Sequence, residues 1–349
     1  MADEVFEAGA LRALAVAILR AAGAPDDVAA AVADHLVESN LVGHDSHGVI
    51  RLPEYVARAR SGAVVAAARP VVDLDRGALA RVSGEWGFGQ VTGALAIDQA
   101  IERARAHGIA AVGMVRCNHL GRIGSYMERA ANAGFVGLAW VGGLGGTQLA
   151  VPFGGAGGAY GTNPIAAGFP AGESGPLLVD FATTAIAGGK VMVAHAKGEA
   201  VPPGSIVDKD GNPTTSTSDF LAGGFLLPFG GHKGYALAVL AELMGQALTG
   251  GDETTDEGHG GAPYRSAGAT FVAIDAGAFR PAEVSRATAE KTVQRLRATR
   301  PAPGFQRVMT PGEPESTSRA RRQSAGIPLP AETWRAITET ATQLGIPVP

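Results

Sequence analysis

Short apolar runs alternate with helical segments across residues 78–141, and this alternation leaves few architectures open. Strands are predicted at residues 80–82, 109–115 and 136–141, and helices between them at residues 90–107 and 124–133. Strands separated by helices form a sheet that packs helices on its faces. The sequence therefore predicts an α/β layer in this part of the chain.

The segment before this layer has helical spacing. Apolar residues recur at helical intervals over residues 11–22 and stop at Gly23, and Asp26 is predicted to cap a second helix that runs toward Leu41. A third helical stretch is predicted over residues 46–60, interrupted or restarted at Pro53. We expect the N-terminal part to be mainly helical.

The pattern is less regular after residue 141. Residues 151–229 are rich in turns, with apolar pieces at residues 165–167, 177–179 and 190–193. Residues 233–248 are predicted to form one apolar helix that is buried on most faces, and residues 252–261 an acidic, glycine-rich surface loop. A strand at residues 270–274, a helix at 281–297, a polar, proline-rich tail from residue 300 and a last helix near 331–344 complete the prediction.

Length, charge and cysteine content exclude several classes of protein. The chain has 349 residues, which is enough for two domains or one large one, because single cores stop growing at roughly 250–300 residues. Its formal net charge of -4, without a basic stripe, argues against nucleic acid as a partner. The acidic start of the sequence, the lack of an apolar run of ~20 residues and the single cysteine, Cys117, lead us to expect a cytoplasmic protein without a membrane span.

Residues 43–55, GHDSHGVIRLPEY, carry the strongest chemical signal. If this segment is helical, His47, Arg51 and Tyr55 stand at four-residue intervals and line one face. This set suits a 2-oxo acid: arginine binds the carboxylate through two N–H groups, and histidine transfers a proton to or from the C2 oxygen. Tyr55 or Ser46 would complete the hydrogen bonding.

Other interpretations apply to the same residues and to a glycine-rich stretch. Residues 43–55 are equally compatible with a solvated helix face that has a helix-start serine and a capping aspartate. His44 and His47 lack an HExxH pattern and a third ligand nearby, so no metal site is predicted. GFGQVTG at residues 87–93 departs from the GxGxxG spacing of a dinucleotide motif, and we predict a turn that leads into a tightly packed helix.

A second histidine follows the strand predicted at residues 109–115. Asn118-His119-Leu120-Gly121 lies where this strand turns toward the next helix. Residues at such strand ends commonly point into ligand crevices, although a lone histidine there is more often a structural hydrogen-bonding group. Both interpretations of His119 stay open from the residues alone.

Seven stretches resemble, in the same order, the malate/L-lactate dehydrogenase family, which also contains sulfolactate, ureidoglycolate and diketogulonate dehydrogenases and cyclic imino-acid reductases. They are GHDSHGVIRLPEY at residues 43–55, NHLGRIGSY at 118–126, GTNPIA at 161–166, VDFATT at 179–184, DKDGNPTT at 208–215, HKGY at 232–235 and PGE at 311–313. So many ordered matches are hard to obtain by chance.

The resemblance implies an α/β protein with the non-Rossmann fold of L-sulfolactate dehydrogenase. A helical domain of residues 1–75, completed by the C-terminal helices of residues 281–349, would join an α/β domain of residues 76–280 that binds NAD or NADP. The resemblance also implies a homodimer in which the partner subunit helps to close each active site. The missing GxGxxG motif is then expected.

The resemblance also implies roles for individual residues. His47 would donate the proton to the C2 oxygen during reduction, Asp180 would orient or charge-stabilise His47, and His119 would be a second acid/base that contacts substrate or nicotinamide. Arg51 would hold the substrate carboxylate, and further contacts to the substrate or its cleft would come from Ser46, Tyr55, Thr162 and Asn163.

Residues implied to bind the cofactor fall in four places. They are His119; Asp180, Phe181, Ala182, Thr183, Thr184 and Ala185; His232 and Lys233; and Pro311, Gly312 and Glu313. Relatives carry a polar run after the strand at residues 136–141, whereas this chain has glycines over residues 142–146, which implies a wider cleft.

The expected activity is hydride transfer between a nicotinamide and C2 of a small 2-hydroxy or 2-oxo acid. Reduction of a cyclic imino acid, such as piperideine- or pyrroline-2-carboxylate, is the alternative reaction, and a catalytically silent binding protein is the non-enzyme alternative. The sequence leaves open the identity of the acid, the choice between NAD and NADP, the physiological direction and any assembly beyond a dimer.

Overall fold

The computed structural model describes the backbone of residues 4–143, 148–253, 256 and 258–348. The helices are α1 (Ala8–Ala21), α2 (Asp26–Leu41), α3 (Leu52–Arg60), α4 (Gly89–His107), α5 (Gly124–Asn132), α6 (Gly188–Lys197), α7 (Thr217–Leu221), α8 (His232–Gly245), α9 (Gly261–Tyr264), α10 (Ala282–Arg297), α11 (Glu313–Ala325) and α12 (Ala331–Gln343). Two 3-10 turns, η1 (Asp45–His47) and η2 (Val49–Arg51), lie between α2 and α3.

The strands form one large sheet and two small ones. They are β1 (Glu4–Phe6), β2 (Val71–Arg76), β3 (Leu79–Ser83), β4 (Ile109–Val115), β5 (Phe135–Gly142), β6 (Ile165–Phe169), β7 (Leu177–Phe181), β8 (Ile206–Val207), β9 (Pro213–Thr214), β10 (Phe225–Leu226), β11 (Gly268–Asp275) and β12 (Ile327–Leu329). The large sheet has the order β2-β3-β4-β11-β5-β6-β7, and within it β3 and β4 pair in parallel while the other neighbours are antiparallel.

The predicted α/β layer is confirmed. β4 has the predicted bounds, α4 and α5 differ from the prediction by one residue at one end, and β5 is one residue longer at each end. The glycines of residues 87–93 pack as expected of a tight helix start, because a Cβ on Gly93 would lie 2.5 Å from the Tyr126 ring. β11 pairs with both β4 and β5 and so completes the middle of the sheet from a distant part of the chain.

Two large hydrophobic cores sit on either side of the site described below. The helical core gathers buried residues from α1, α2, α3, β12 and α12, among them Ile18, Leu36 and Leu52. The sheet core lies between the large sheet and the helices α4 and α5, and includes Met114 and Phe271. Burial of each such side chain contributes about 1.5–3 kcal/mol to folding, so both cores are substantial.

Three predictions about elements were wrong. Residues 300–330, predicted as a polar, proline-rich tail without a helix or strand of its own, contain α11 and β12, and β12 pairs with β1 at the N-terminus. Residues 190–193, predicted as an apolar piece of the turn-rich region, belong to helix α6. Residues 46–60 do not form one helix, because two 3-10 turns precede α3.

Helix α8 is not buried on most faces, as its apolar sequence had suggested. Val239, Leu240 and Leu243 are 37%, 43% and 53% exposed, and Leu248 just beyond the helix is 64% exposed. The opposite face of α8 packs on β5 through Ala241 and Gly245. A sequence pattern reports how apolar a helix is, not whether its own chain covers it.

The division into residues 1–75 with 281–349 and residues 76–280 stays a prediction. The two large cores follow it in outline, but β2 joins the sheet from before residue 76, and α10 contacts Ser174 through Glu290. Within the described chain, every helix is too short or too polar to serve as a membrane span. Residues 254, 255 and 257 of the predicted acidic loop, and residues 144–146 of the glycine run, lie outside the described residues.

Candidate active site

The segment between α2 and α3 is held in its non-helical path by two residues outside it. Asn40 donates to Asp45 Oδ1 at 2.7 Å and accepts from the Val49 N–H at 2.9 Å. Arg322 on α11 donates to both carboxylate oxygens of Asp45, at 2.6 and 3.0 Å. A Cβ on Gly48 would lie 2.2 Å from Asn40 Oδ1, so the close approach of Asn40 requires glycine.

His47 and Arg51 lie side by side on this segment. Ser46 Oγ is 3.0 Å from His47 Nδ1, and Arg51 Nε donates to the Ser46 carbonyl at 2.7 Å. Arg51 Nη1 donates to Glu54 at 2.9 Å, which leaves Nη2 without a hydrogen bond within the described chain. The predicted proximity of imidazole and guanidinium is present, although 3-10 turns rather than an α-helix produce it.

His119 faces His47 from the other side of the site. Its ring follows β4 and lies 5.4 Å from the His47 ring, centroid to centroid, with an angle of 21° between the planes. Tyr55 Oη is 2.7 Å from His119 Nδ1. Tyr55 is buried, and its hydroxyl is occupied by His119 and by Gln90 Nε2 at 2.6 Å. The substrate contact expected of Tyr55 stays a prediction; the contacts that the structure gives its hydroxyl are those to His119 and Gln90. We call His47, Tyr55 and His119 the imidazole wall.

Two residues of the site were not found from the sequence. The Tyr264 ring on α9 lies 6.1 Å from the His119 ring, and the Arg58 guanidinium sits 4.6 Å from the centre of the Tyr264 ring, in cation–π geometry. Arg58 also donates to Asn118 Oδ1 at 2.7 Å. Tyr264 is 145 residues beyond His119 in the sequence. Its position after a glycine-rich loop was the one feature that could have indicated a place in the site.

Both imidazoles of the wall are neutral at physiological pH. Burial, followed by the positive charge of Arg51, lowers the pKa of His47 to about 3. Burial, followed by the charges of His47 and Arg51, holds the pKa of His119 well below its usual 6.5. Among the described residues no carboxylate is hydrogen-bonded to either ring, and Glu54 is bound to Arg51, so no direct partner stabilises an imidazolium here.

Asp180, predicted to orient or charge-stabilise His47, is bonded to the backbone at the start of α5. Its Oδ2 accepts the Gly124 N–H at 2.8 Å, and no hydrogen bond joins it to His47 in the described chain. Burial raises the pKa of Asp180, opposed by the nearby charge of His44 and the hydrogen bond from Gly124. Gly124 is needed here because a Cβ on it would lie 2.7 Å from Asp180 Oδ2.

A series of ion pairs connects three parts of the chain next to Asp180. His44 Nε2 is 3.2 Å from Glu315, and Arg319 contacts both Glu38 and Glu128. Burial of Glu128 is outweighed by its bonds to Arg319 and Arg122, so the pKa of Glu128 is lowered. We call the pairs His44–Glu315, Asp45–Arg322, Glu38–Arg319 and Glu128–Arg319 the ionic seam. α11 supplies one partner of each pair.

Residues 181–185, which the resemblance implies to bind the cofactor, include two side chains that are hydrogen-bonded within the protein and others that are exposed. Thr183 Oγ1 donates to the Thr162 carbonyl and Thr184 Oγ1 to the Ile186 carbonyl, both at 2.9 Å, so neither hydroxyl is free. Phe181 and Ala185 are exposed, and Ala182 is half-buried. The exposed residues Phe181 and Ala185 are therefore the part of this stretch that can meet a ligand.

Thr162 and Asn163 brace the sheet rather than line the wall. The Asn163 side chain is buried and donates to the Ala238 carbonyl at 2.9 Å and to Glu242 at 2.7 Å, which ties the turn before β6 to α8. His232 and Lys233 are exposed at the start of α8, and the His232 ring lies 5.8 Å from Phe153.

The PGE turn docks beside β7. The Pro311 carbonyl accepts the Leu178 N–H at 3.3 Å, and Glu313 is buried between Arg297 at 3.1 Å and Arg307 at 2.6 Å. A cavity of about 180 Å³ opens there, lined by β7, α10 and residues 310–319. Since Glu315 and Arg319 line this cavity and also belong to the ionic seam, the cavity and the seam adjoin each other. Among the described residues no cluster of three metal-ligating side chains occurs.

Comparison with known proteins shows which family and which enzymes this chain is similar to. The family model described as malate/L-lactate dehydrogenase matches residues 6–338. An L-lactate dehydrogenase of Cupriavidus necator is 42% identical over 97% of each chain. Hydroxycarboxylate dehydrogenase B of Escherichia coli is 39% identical over 98% of this chain and 95% of its own.

Two further relatives differ in the chemistry that their names record. A Δ1-pyrroline-2-carboxylate/Δ1-piperideine-2-carboxylate reductase of Pseudomonas putida is 34% identical over 94% of each chain. The solved structure of sulfolactate dehydrogenase from Methanocaldococcus jannaschii superposes with a TM-score of 0.88 at 30% identity, over 99% of this chain and 98% of that one. The chain thus shares the fold of both kinds of enzyme.

Proposed function

The chain belongs to the malate/L-lactate dehydrogenase family, and from this premise we propose that it is an NAD(P)-dependent oxidoreductase of small 2-hydroxy and 2-oxo acids. The observation that carries the proposal is the pair of facing imidazoles, His47 and His119, 5.4 Å apart and next to the Arg51 guanidinium. Two proton-transfer groups beside one cation suit a molecule whose reacting oxygen is one carbon away from a carboxylate.

Arg51 is the proposed carboxylate ligand. Its Nη2 group is available, and its Nη1 group is bound only to Glu54, in a pair whose side chains are about one-third exposed. A substrate carboxylate that displaces Glu54 would obtain the two-point contact that guanidinium groups favour. Ser46 Oγ, 3.0 Å from His47 Nδ1, would fix the orientation of the imidazole.

Because His47 is neutral, it can act at once as the base in substrate oxidation, whereas reduction first requires its protonation. A neutral imidazole accepts a proton, so in oxidation His47 takes the proton of the C2 hydroxyl as the hydride leaves. In reduction the same nitrogen must first be protonated. Burial is the main cause of the lowered pKa of His47, and the charge of Arg51 adds to it. A substrate carboxylate at Arg51 would compensate this second contribution and so favour protonation when substrate is bound.

The donor groups along the β7 edge fit a nicotinamide nucleotide. Lys233 has an exposed side chain, and Arg297, which also binds Glu313, is partly exposed. Both are cations suited to phosphates, and Phe181 and Ala185 are the exposed residues of the stretch 181–185. We propose that these groups, with His232 and the PGE turn, hold the nucleotide, and that His119 adjoins its nicotinamide. The bound nucleotide supplies or accepts the hydride.

A homodimer is part of the proposal. The exposed apolar residues of α8, with Met192 and Val193 exposed on α6, form the kind of surface that a second copy of the chain would cover. Leu240→Glu with Leu243→Glu should convert the dimer to a monomer in light scattering, while a monomeric unaltered protein would refute this part. Cys117 is a buried free thiol, which supports the expectation of a reducing, cytoplasmic setting.

Reduction of a cyclic imino acid is the second candidate reaction. The Pseudomonas putida relative, whose name records that activity, supports it. The same Arg51 would bind the carboxylate, and the hydride would go to the carbon of a C=N bond rather than of a C=O bond. The imidazole wall does not distinguish the two, because both products need one proton on the heteroatom.

The deciding experiment is a cofactor-oxidation screen. Purified protein is mixed with NADH or NADPH and with pyruvate, oxaloacetate or piperideine-2-carboxylate, and the loss of nicotinamide absorbance is followed. Turnover of a 2-oxo acid supports the proposal, and turnover of the imino acid alone favours the second candidate. If neither nucleotide is oxidised, quenches tryptophan fluorescence or raises the melting temperature, the protein is a silent binding protein and the proposal is wrong.

A further inference from the structure

Gln90 is a buried amide whose hydrogen bonding is directed at the imidazole wall. It lies in the first turn of α4, is 3% exposed, and donates from Nε2 to Tyr55 Oη at 2.6 Å. Its Oε1 is buried and has no hydrogen-bond partner in the described chain. The one polar contact of this amide is therefore with Tyr55, 35 residues earlier.

The contact from Gln90 fixes the direction of the next hydrogen bond. Tyr55 Oη accepts the Gln90 N–H, so its own proton is free to point at His119 Nδ1, 2.7 Å away. Burial raises the pKa of Tyr55, which therefore remains a phenol and a donor. A neutral imidazole that accepts at Nδ1 carries its proton at Nε2.

We propose that Gln90 is a positioning residue that, through Tyr55, holds His119 in the tautomer protonated at Nε2. This nitrogen has no hydrogen-bond partner in the described chain, and it is not among the fully enclosed unpaired atoms. It is thus the donor that His119 presents to a substrate oxygen. This last step rests on the proposed function, whereas the tautomer itself does not.

The unpaired oxygen of Gln90 argues against a merely structural role. A buried carbonyl without a partner lowers stability, and such groups are rare unless another role retains them. Replacing Gln90 by methionine, which has similar length, removes this group and leaves the Tyr55–His119 contact possible. Gln90 also lines a groove of about 620 Å³ beside α1 and α2, so the new side chain has space. The stability of Gln90→Met should therefore be unchanged or higher.

The direct test is ¹⁵N NMR of protein labelled at histidine, because the shifts of ring nitrogens separate the two tautomers. The His119 signals are assigned by their loss in His119→Gln. We expect unaltered protein to show His119 protonated at Nε2, and Gln90→Met to show a mixture of both tautomers. Gln99→Met, the same change at an outer position of α4, is the matched control and should leave the signals unchanged.

Kinetics tests the consequence for catalysis. Gln90→Met should lower kcat about tenfold with KM nearly unchanged, less than the 10²–10⁴-fold that a general acid or base contributes. In a Tyr55→Phe background the same change should have no further effect, because the relay is already absent.

The outcomes separate this inference from the proposed function. If no acid is turned over but the tautomer shifts in Gln90→Met, the positioning role stands and the proposed reaction fails. A His119 ring protonated at Nδ1 in the unaltered protein would overturn the inference. So would a Gln90→Met protein with an unchanged tautomer, or one that melts at a lower temperature and loses activity in proportion.

Discussion

The imidazole wall and the ionic seam lie next to each other, but the seam consists of paired charges, whereas the imidazoles of the wall are neutral. In the seam, each arginine meets a carboxylate, as Arg322 does by binding Asp45 through two oxygens, and His44 Nε2 lies 3.2 Å from Glu315. In the wall, His47 and His119 face each other beside Arg51, neither ring is hydrogen-bonded to a carboxylate in the described chain, and burial keeps both rings neutral.

This difference indicates that the seam has a structural role and that the wall can bind a ligand. Paired charges need no further partner, so the seam holds α11 against the segment that carries His47. Arg51 is bound to one partly exposed carboxylate, Glu54, its Nη2 has no hydrogen bond in the described chain, and both imidazoles are neutral. An anion with a reactive oxygen would complete this set. Substitutions in the seam should thus affect stability, and those in the wall turnover.

The largest effect is expected for His47→Ala. Turnover should fall by 10²–10⁴-fold, the usual contribution of a general acid or base, while NAD(P)H binding measured by fluorescence is nearly unchanged. His107→Ala, at the exposed end of α4, is the control. Normal turnover of the His47 variant would remove that residue from the reaction.

Arg322→Ala tests the seam. The Arg322 side chain is 10% exposed and Asp45 46%, so the loss should lie between that of a buried and a surface pair, at about 2 kcal/mol. We expect a melting temperature several degrees lower, with kcat affected less than in the His47 variant. Arg321→Ala, at the exposed neighbouring position, should melt like the unaltered protein. An unaffected melting temperature for Arg322→Ala would show that the seam does not hold α11.

The smallest effect concerns the one carboxylate that reaches Arg51. Glu54→Gln should lower KM for the acid substrate by up to about fivefold, because a surface pair is worth about 0–1 kcal/mol and no longer competes with substrate. Glu332→Gln, which alters another exposed pair at the same spacing, serves for comparison and should not change KM. A raised KM in Glu54→Gln would mean that Glu54 positions Arg51 instead of competing for it.

Local patterns predicted much of the sheet and part of the wall. β4 was predicted to the residue because its apolar run begins after Gly108, and His119 follows it directly. α11 was missed because ion pairs, not an apolar stripe, hold it: its two buried residues are Glu313 and Arg322.

Contacts between distant residues explain the rest. His47 and Arg51 are four residues apart, so they were correctly predicted to lie close together even though the segment forms 3-10 turns and not the assumed α-helix. Gln90 and Tyr264 contact the wall because α4 and α9 pack against it. The residue spacing within either segment could not predict this packing. Asp180 was assigned to His47 from the resemblance, but the backbone N–H of Gly124 occupies its oxygen.

The most direct test is an NMR titration of the His47 ring in the free protein and with oxamate, an inert analogue of a 2-oxo acid, bound together with NADH. We predict that free His47 stays neutral far below pH 6.5, consistent with a pKa of about 3, and that its pKa rises toward the ordinary value when oxamate binds. A free His47 that titrates near 6.5, or one whose pKa does not respond to oxamate, would contradict the view that the wall awaits an anion.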